Sequence, residues 1–145
     1  MLGYENISGT EKWMEQLLEK IVPKTEGAFI DVGVNIGQTL IKLKKINTST
    51  PYIGFEPNPA CIYYTNQLLS LNDWGNCRII PIGIAKKTEF LKLMHFSDCD
   101  TDSGATIIEN FRASEKIHKE STIITGNYEM VKNFFDEKAG IIKID

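Results

Sequence analysis

The 145-residue sequence lacks most features that mark membrane, secreted and metal-binding proteins. It has only three cysteines, Cys61, Cys77 and Cys99, which are far apart and form no CxxC or Cys/His pair. This scarcity argues against a disulfide framework and a zinc site, and it favours a reducing cytoplasm. No apolar run approaches the roughly 20 residues of a membrane span, and the polar start lacks the layout of a signal peptide. We therefore expect a cytoplasmic protein with no membrane partner.

Positive charge is also scarce, with 16 Lys and Arg against 19 Asp and Glu and a formal net charge of -3. This balance argues against a nucleic-acid partner, because neutralising phosphates requires a dense basic face. The short basic clusters, Lys42/Lys44/Lys45 and Lys86/Lys87, are expected to be solvated surface lysines. The chain is long enough to bury a hydrophobic core, and it contains no repeat or linker. Residues 1–145 are therefore expected to form a single domain.

Short apolar runs alternate with segments of helical spacing along the first half of the chain. Ser8 and Glu11 have the spacing of a capping box and open an amphipathic helix within residues 1–26. The core of residues 27–145 then begins with three successive strand and helix alternations, which predict βαβ units and a doubly wound, mostly parallel sheet. The predicted elements are strands Ala28–Val32, Tyr52–Glu56 and Arg78–Ala85, and helices Gln38–Ile46 and Pro59–Leu71.

The second half of the core is less regular. The segment Phe90–Phe96 predicts a strand, with a hairpin to Arg78–Ala85 as one interpretation, and Ser97–Thr106 predicts a polar loop. Residues 107–119 are ambiguous. Ser121–Thr125 resembles a short strand, and Asn127–Lys138 predicts a helix with Met130, Val131, Phe134 and Phe135 on its apolar side.

The apolar run Gly140–Asp145 predicts another buried parallel strand. A central strand normally continues into a loop and a covering helix, so we expect this chain to be the amino-terminal part of a domain whose carboxyl-terminal strands are missing. An open sheet edge at such a strand would favour association between chains, so a homodimer is a possible assembly.

The strongest chemical signal is Phe29–Gly37, FIDVGVNIG, in which a strand runs into a glycine turn and then a helix. Gly33 and Gly37 permit a tight turn, and a helix amino terminus presents unpaired N–H groups to an anionic ligand group. Glu56 ends the next strand, 19 residues after Gly37. In doubly wound nucleotide-binding folds an acid at this place accepts hydrogen bonds from ribose hydroxyls.

The turn differs from the dinucleotide fingerprint GxGxxG, because Asn35 stands where the middle glycine should be. That glycine lets a pyrophosphate approach the backbone, so its absence disfavours a dinucleotide. A ligand with a ribose, a carboxylate and an amine tolerates Asn35, and Asp31 could bind the amine. S-adenosylmethionine has this combination of groups.

Four ordered motifs together resemble the FkbM family of S-adenosylmethionine-dependent methyltransferases. They are DVGVNIG, GFEPNP at Gly54–Pro59, NCRIIPIGIA at Asn76–Ala85, and the terminal IIKID. The resemblance runs from about Gly27 to Asp145 and implies a Rossmann-like methyltransferase fold. Members of this family continue past IKID with a Val-Glu-Gly stretch and further strands, which this sequence lacks.

The resemblance also implies roles for individual residues. Asp31, Gly33, Asn35 and Gly37 would form the cofactor turn, with Asp31 at the methionine end of the ligand. Glu56 would bind the ribose, and Pro57 follows it. The strand end near Ile82 and Gly83 would lie beside the adenine, Asp102–Thr106 would form a loop at the mouth of the site, and Asp145 would face the methyl group and the acceptor. The implied reaction is methyl transfer to a hydroxyl of a small molecule or sugar.

Several alternatives remain open. The chain could be a truncated, non-catalytic nucleotide-binding domain, or an NAD-type oxidoreductase. Asp98–Glu109 has acids at the spacing of an EF-hand calcium loop, but Ser103 stands where that loop needs glycine, so no metal is expected. A hydroxyl acceptor can require a general base, and His95, His118 and Asp145 are candidates among which the sequence does not choose.

Overall fold

A computed structural model of the chain describes residues 5, 10–108, 111, 116–132 and 136–145. Four helices and seven strands lie within these residues. The helices are α1 (Lys12–Ile21), α2 (Gln38–Ile46), α3 (Pro59–Leu71) and α4 (Tyr128–Val131), and a 3₁₀ turn at Val22–Lys24 follows α1. The strands are β1 (Ala28–Val32), β2 (Tyr52–Phe55), β3 (Cys77–Ile80), β4 (Gly83–Ile84), β5 (Phe90–His95), β6 (Lys119–Gly126) and β7 (Ala139–Ile144).

The larger sheet has four parallel strands in the order β3-β2-β1-β7. Both faces of a parallel sheet are covered by the segments that connect its strands. The strands therefore consist of short, mostly apolar runs. The predicted helices α2 and α3 have the expected bounds, and the expected α/β class with a mostly parallel sheet is confirmed. Asn58 caps α3 by accepting a hydrogen bond from the Ala60 N–H at 3.0 Å, and Pro59 follows at the first helical position.

Hydrophobic clusters cover the two faces of this sheet. Adjacent residues of a strand point to opposite faces, so Phe29 belongs to one cluster and Ile30 to the other. The Phe29 cluster contains buried apolar side chains of α1, α2 and α3. The Ile30 cluster is completed by Ile82, from the chain that follows β3, and by Val131 of α4. The sheet is thus covered from both sides by segments that connect its strands.

Two lysines of α2 are buried, contrary to the expectation that this basic cluster is solvated. Lys42 and Lys44 are both fully buried. The Lys42 ammonium group donates to Glu11 Oε2 at 2.9 Å, which joins α2 to the start of α1. Lys44 donates to two loop carbonyls and to Asn76 Oδ1. Burial is tolerated because each ammonium group has an oxygen partner. Ser8, the other member of the predicted capping box, lies outside the described residues.

The smaller sheet has the order β4-β6-β5 and corrects two expectations. The predicted strand Arg78–Ala85 is divided at Pro81: β3 belongs to the parallel sheet and β4 to the smaller one. The proposed hairpin between this segment and Phe90–Phe96 does not form. Instead, β5 pairs antiparallel with β6, which pairs parallel with β4 and so lies between them. A proline cannot donate to a ladder, which is the physical reason for the division.

The last third of the chain agrees with the sequence in part. The predicted strand Ser121–Thr125 is confirmed within β6, and the predicted helix starts where expected, with the Asn127 side chain accepting from the Met130 N–H at 2.9 Å. Residues 136–138 are not helical, so the helix is shorter than expected. Phe134 and Phe135 lie outside the described residues.

The terminal strand is confirmed as β7, but it is not a central strand of the described sheet. It pairs only with β1 there, and its Ile142 and Ile144 side chains are 60% and 73% exposed. Among the residues that the structure describes, no helix combines the length and apolar character needed to cross a membrane.

Candidate functional site

The candidate site is a cavity at the carboxyl ends of β1, β2 and β7. From β1 the chain passes to β2 on one side, whereas β7 joins β1 on the other side. The strand order therefore reverses beside β1, and α/β proteins bind ligands in the crevice at such a point. The cavity has a volume of about 280 Å³, close to the lower end of small-molecule sites. Its lining residues are Gly33, Asn35, Glu56, Pro57, Asn58, Leu93, Asp102, Ser103, Ala105 and Asp145.

Most of the residues singled out in the sequence meet at this cavity. Those that line it are Gly33, Asn35, Glu56, Pro57 and Asp145. The other three adjoin the site without lining the cavity. They are Asp31, Gly37 and Gly83.

Gly37 and Gly83 lie where neighbouring elements approach closely. Gly37 precedes α2 with a φ of 79°, and a Cβ at this position would lie 3.3 Å from Leu68 Cδ2 of α3. A Cβ at Gly83 in β4 would lie 3.5 Å from the Pro57 Cγ. The absence of a side chain at Gly37 lets α3 pack closely against the start of α2. At Gly83 it lets β4 pack closely against Pro57, which lines the cavity.

The turn that follows β1 satisfies all of its own N–H groups from residue 33 to residue 37. The hydrogen bonds run from Gly33 and Val34 to the Phe55 carbonyl, from Asn35 to Glu56 Oε2, from Ile36 to Asn35 Oδ1, and from Gly37 to the Val34 carbonyl. A phosphate-binding turn must instead direct N–H groups at its ligand. The N–H groups of residues 33–37 are thus all used within the protein, and this geometry of the turn is unfavourable for a pyrophosphate.

Asn35 adopts the left-handed conformation, with a φ of 50°. Asparagine is one of the few residues other than glycine that tolerate this region, because its side chain can hydrogen-bond locally. Here the side-chain oxygen accepts from the Ile36 N–H at 2.7 Å. The residue that replaces the dinucleotide glycine therefore keeps the tight turn while it orients its own N–H towards Glu56.

Glu56 is a buried carboxylate, 6% exposed, at the end of β2. Its Oε2 accepts from the Asn35 N–H at 2.7 Å, and its Oε1 accepts from the Asn58 N–H at 2.8 Å. Burial raises the pKa of Glu56 above its ordinary value, although these two backbone hydrogen bonds lower it in part. A carboxylate has about four lone-pair sites, so each oxygen can accept a further hydrogen bond from a ligand in the cavity.

Asp31 lies behind the cavity wall. It is fully buried, and its carboxylate accepts from the Tyr52 hydroxyl at 2.6 Å and from the Lys143 ammonium group at 3.0 Å. Burial raises the pKa of Asp31, and the nearby Lys143 and Tyr52 offset this rise only in part. Because the carboxylate is enclosed by side chains of this chain, the structure does not present it to a ligand amine.

Asp145 is the acid that faces the cavity at this end. Its N–H donates to the Val32 carbonyl at 3.1 Å, which continues the pairing of β7 with β1. Its carboxylate forms an ion pair with Lys143, whose ammonium group also contacts Asp31. Gly33 has a φ of 90°, and a Cβ there would lie 3.3 Å from the Asp145 Cβ. Glycine is therefore required both by the backbone conformation and by the close approach of Asp145.

A loop between β5 and β6 forms the opposite wall. The Asn58 side chain donates from Nδ2 to the Asp100 carbonyl at 2.8 Å while its oxygen caps α3. Asp102, Ser103 and Ala105 line the cavity. Asn58 thus connects the start of α3 to the loop that forms the opposite wall.

The acids of this loop have separate partners, which bears on the calcium alternative. The Asp102 carboxylate accepts from the backbone N–H groups of Phe96, Ser97 and Gly104, whereas Asp98 and Asp100 pair with His118 and Lys119. Burial acts to raise the pKa of Asp102, but these backbone hydrogen bonds hold it below its ordinary value. Within the described ranges there is no cluster of three or more His, Cys, Asp or Glu suited to a metal ion. Glu109, the last acid of that pattern, lies outside them.

Neither histidine lines the cavity. His95 is buried, its Nε2 lies 2.9 Å from Ser121 Oγ, and burial lowers its pKa below the ordinary value, as does the nearby Lys119. His118 lies at the surface in an ion pair with Asp98. Of the three candidate bases named from the sequence, only Asp145 reaches the cavity.

Sequence reasoning missed three residues that shape the site: Asn58, Tyr52 and Lys143. The position of Asn58 directly before Pro59 and a helix is a recognisable cap signal. Lys143 precedes Asp145 by two residues in a strand, so the two share one face, which is also readable. The Tyr52 contact with Asp31 had no local signal, because it depends on the register between β1 and β2.

Comparison with protein-family models, with curated proteins and with solved structures finds no significant match to this chain. Chemically, the cavity combines a buried acceptor carboxylate, a turn with no spare N–H groups and a second carboxylate held by a lysine. This arrangement suits a ligand with hydroxyl donors and a cationic group better than one with phosphates.

Proposed function

We propose that the chain is an S-adenosylmethionine-dependent methyltransferase of the FkbM type, with the cofactor in the cavity at the carboxyl ends of β1, β2 and β7. The observation that carries this proposal is the position of Glu56. Glu56 directly follows β2 and lines the cavity. Its carboxylate is oriented by the N–H groups of Asn35 and Asn58. Such an acid accepts hydrogen bonds from the two ribose hydroxyls of a nucleoside.

The charge of the site supports S-adenosylmethionine over a dinucleotide. The N–H groups of residues 33–37 are all used within the protein, so a pyrophosphate would find no donors in this turn. The cavity carries the carboxylates of Glu56 and Asp145, which attract a sulfonium or ammonium group and repel phosphates. This argument disfavours the NAD-type oxidoreductase as the second candidate.

The proposed reaction is methyl transfer to a hydroxyl of a small molecule or sugar, within a Rossmann-like fold and in the cytoplasm. A sulfonium methyl group is already activated, so the protein must mainly align the acceptor and exclude water. Asp145 lies where it can accept a hydrogen bond from an acceptor hydroxyl. The acceptor is expected to enter beside the loop of Asp102, Ser103 and Ala105, which forms the opposite wall.

The test is calorimetric titration with S-adenosylhomocysteine, with NAD titrated in parallel. Glu56→Gln removes the charge of the proposed ribose acceptor with little change in shape. Its matched control is Glu129→Gln, in which an exposed glutamate paired with Lys132 loses its charge. We expect S-adenosylhomocysteine to bind the wild-type chain and to bind Glu56→Gln about tenfold more weakly, since an unpaired ribose hydroxyl costs about 1–2 kcal/mol.

Three results would contradict the proposal. They are tighter binding of NAD than of S-adenosylhomocysteine, absence of binding of S-adenosylhomocysteine, and equal affinity for wild type and Glu56→Gln. The second of these would favour the non-catalytic alternative. Glu129→Gln should bind as the wild type does, and a loss there would indicate a general effect of removing negative charge.

A further inference from the structure

Three charged groups meet at the carboxyl ends of β1 and β7. The Lys143 ammonium group lies 3.0 Å from Asp31 Oδ1 and forms an ion pair with Asp145. It also lies 3.5 Å from the Gly33 carbonyl oxygen. Asp31 is fully buried, the Lys143 side chain is 13% exposed, and that of Asp145 is 63% exposed. The charges thus run from the interior of the protein to the wall of the cavity.

The register of the sheet produces this arrangement. Asp31 and Lys143 are direct partners across the parallel pair β1 and β7. Lys143 and Asp145 are two residues apart in an extended segment, so their side chains share a face. The Lys143 ammonium group can therefore contact the carboxylates of both Asp31 and Asp145.

The two carboxylates depend on Lys143 in different ways. For Asp31, the ammonium group is the only cationic partner that the described residues supply, and a buried carboxylate without such a partner is strongly unfavourable. The Asp145 side chain is mostly exposed, so water solvates its charge. Within the described residues, Lys143 supplies the side-chain contact that holds this carboxylate in place. Burial lowers the pKa of Lys143, but Asp31 and Asp145 more than offset this and raise it above the ordinary value.

We propose that Lys143 is a positioning residue, which holds the Asp145 carboxylate at the cavity wall through an ammonium group anchored on buried Asp31. The inference deepens the proposed function and rests on it for the identity of the ligand. Asp145 is then kept at a fixed place for the cationic part of S-adenosylmethionine or for the acceptor hydroxyl. Lys143 itself does not line the cavity, so its proposed effect on the ligand is exerted through Asp145.

The first experiment tests, without any ligand, whether the environment of the Asp145 carboxylate depends on the Lys143 ammonium group. The protein is labelled with ¹³C in the aspartate carboxyl groups, and the Asp145 signal is assigned by its loss in Asp145→Asn. Lys143→Met can fail to fold, because it leaves Asp31 buried without a cation. The decisive variant is therefore Asp31→Asn with Lys143→Met, which removes both buried charges. Its reference is Asp31→Asn alone, in which the amide oxygen can still accept from the Lys143 ammonium group.

We expect the Asp145 carboxyl signal to move when Lys143→Met is added to Asp31→Asn, and to return when Lys143→Arg replaces Lys143→Met. The matched control is Lys92→Met, which removes a strand lysine that pairs with Glu120 outside the cavity. That change should leave the Asp145 signal in place. An Asp145 signal that is the same with and without the Lys143 ammonium group would overturn the proposal.

The second experiment measures the consequence for binding of S-adenosylhomocysteine. In the Asp31→Asn background, Lys143→Met should weaken binding about fivefold, which corresponds to about one hydrogen bond. In a background that also carries Asp145→Asn, the same change should have no further effect, because Lys143 acts through Asp145. Equal weakening in both backgrounds would also overturn the proposal. If the wild-type chain binds no S-adenosylhomocysteine, the proposed function fails, and the carboxyl signal alone decides the role of Lys143.

Discussion

The ends of β1 and β2 each carry an acid beside the same cavity, yet the protein treats the two acids differently. Asp31 on β1 is closed in by the side chains of Tyr52 and Lys143. Glu56 on β2 is held by two backbone N–H groups and lines the cavity. Burial raises the pKa of both carboxyl groups.

The difference lies in the partners. Asp31 is fully buried between Tyr52 and Lys143, so that carboxylate stabilises the junction of β1 and β7 and is not presented to a ligand. Backbone N–H groups orient Glu56 without neutralising it, and its negative charge remains available to a donor in the cavity. We therefore assign a structural role to Asp31 and a binding role to Glu56, and the following changes test that contrast.

The largest effect on stability is expected for Asp31→Ala. It leaves the buried Tyr52 hydroxyl without its acceptor and removes the buried partner of Lys143. The free energy of unfolding should fall by about 3 kcal/mol. Urea unfolding monitored by circular dichroism measures this. A loss under about 1 kcal/mol would contradict the structural role of Asp31.

A smaller loss is expected for Tyr52→Phe, which removes one hydroxyl and keeps the ring that stacks on Phe29 at 6.0 Å between centroids. A hydrogen bond to a charged group contributes about 1.5–3 kcal/mol. The free energy of unfolding should therefore fall by about 2 kcal/mol, while the affinity for S-adenosylhomocysteine changes little. A variant with wild-type stability and strongly reduced affinity would place Asp31 in the binding site instead.

The smallest effect on stability is expected for Glu56→Gln, and it should depend on pH. Because the folded-state pKa of Glu56 is raised above 4.5, its contribution to stability is present below that pH and is lost as pH rises through the folded-state value. The variant should therefore lose more stability at pH 4 than at pH 7. Unfolding curves of both proteins across this range provide the test, and a loss that grows with pH would contradict it.

Local patterns in the sequence were sufficient to predict β1 and the two helices that pack beside it, α2 and α3. The apolar run Ala28–Val32 becomes β1, and Pro59–Leu71 becomes α3, with the bounds expected from their apolar spacing and cap signals. Asn35, Glu56 and Gly33 were also recognisable, because strand ends and glycine turns are local features of the chain. What these patterns encode is a preference of each segment for one conformation.

The smaller sheet could not be read in the same way. Whether β5 pairs with β4 or with β6 depends on segments more than 20 residues apart, and the apolar content of β5 suits either partner. The burial of Lys42 and Lys44 was missed for a similar reason, since their side-chain partners, Glu11 and Asn76, lie 31 and 32 residues away.

The sequence by itself determined the order of the elements, the turn after β1 and the acid that ends β2, because short-range hydrophobic spacing and backbone conformation decide them. Only the tertiary structure decided that Asp31 is enclosed by Tyr52 and Lys143. The register of β2 against β1 brings Tyr52 to Asp31, and the register of β7 against β1 places Lys143 beside Asp31 although the two residues are 112 positions apart. Such a pairing depends on the whole sheet, so no local pattern contains it.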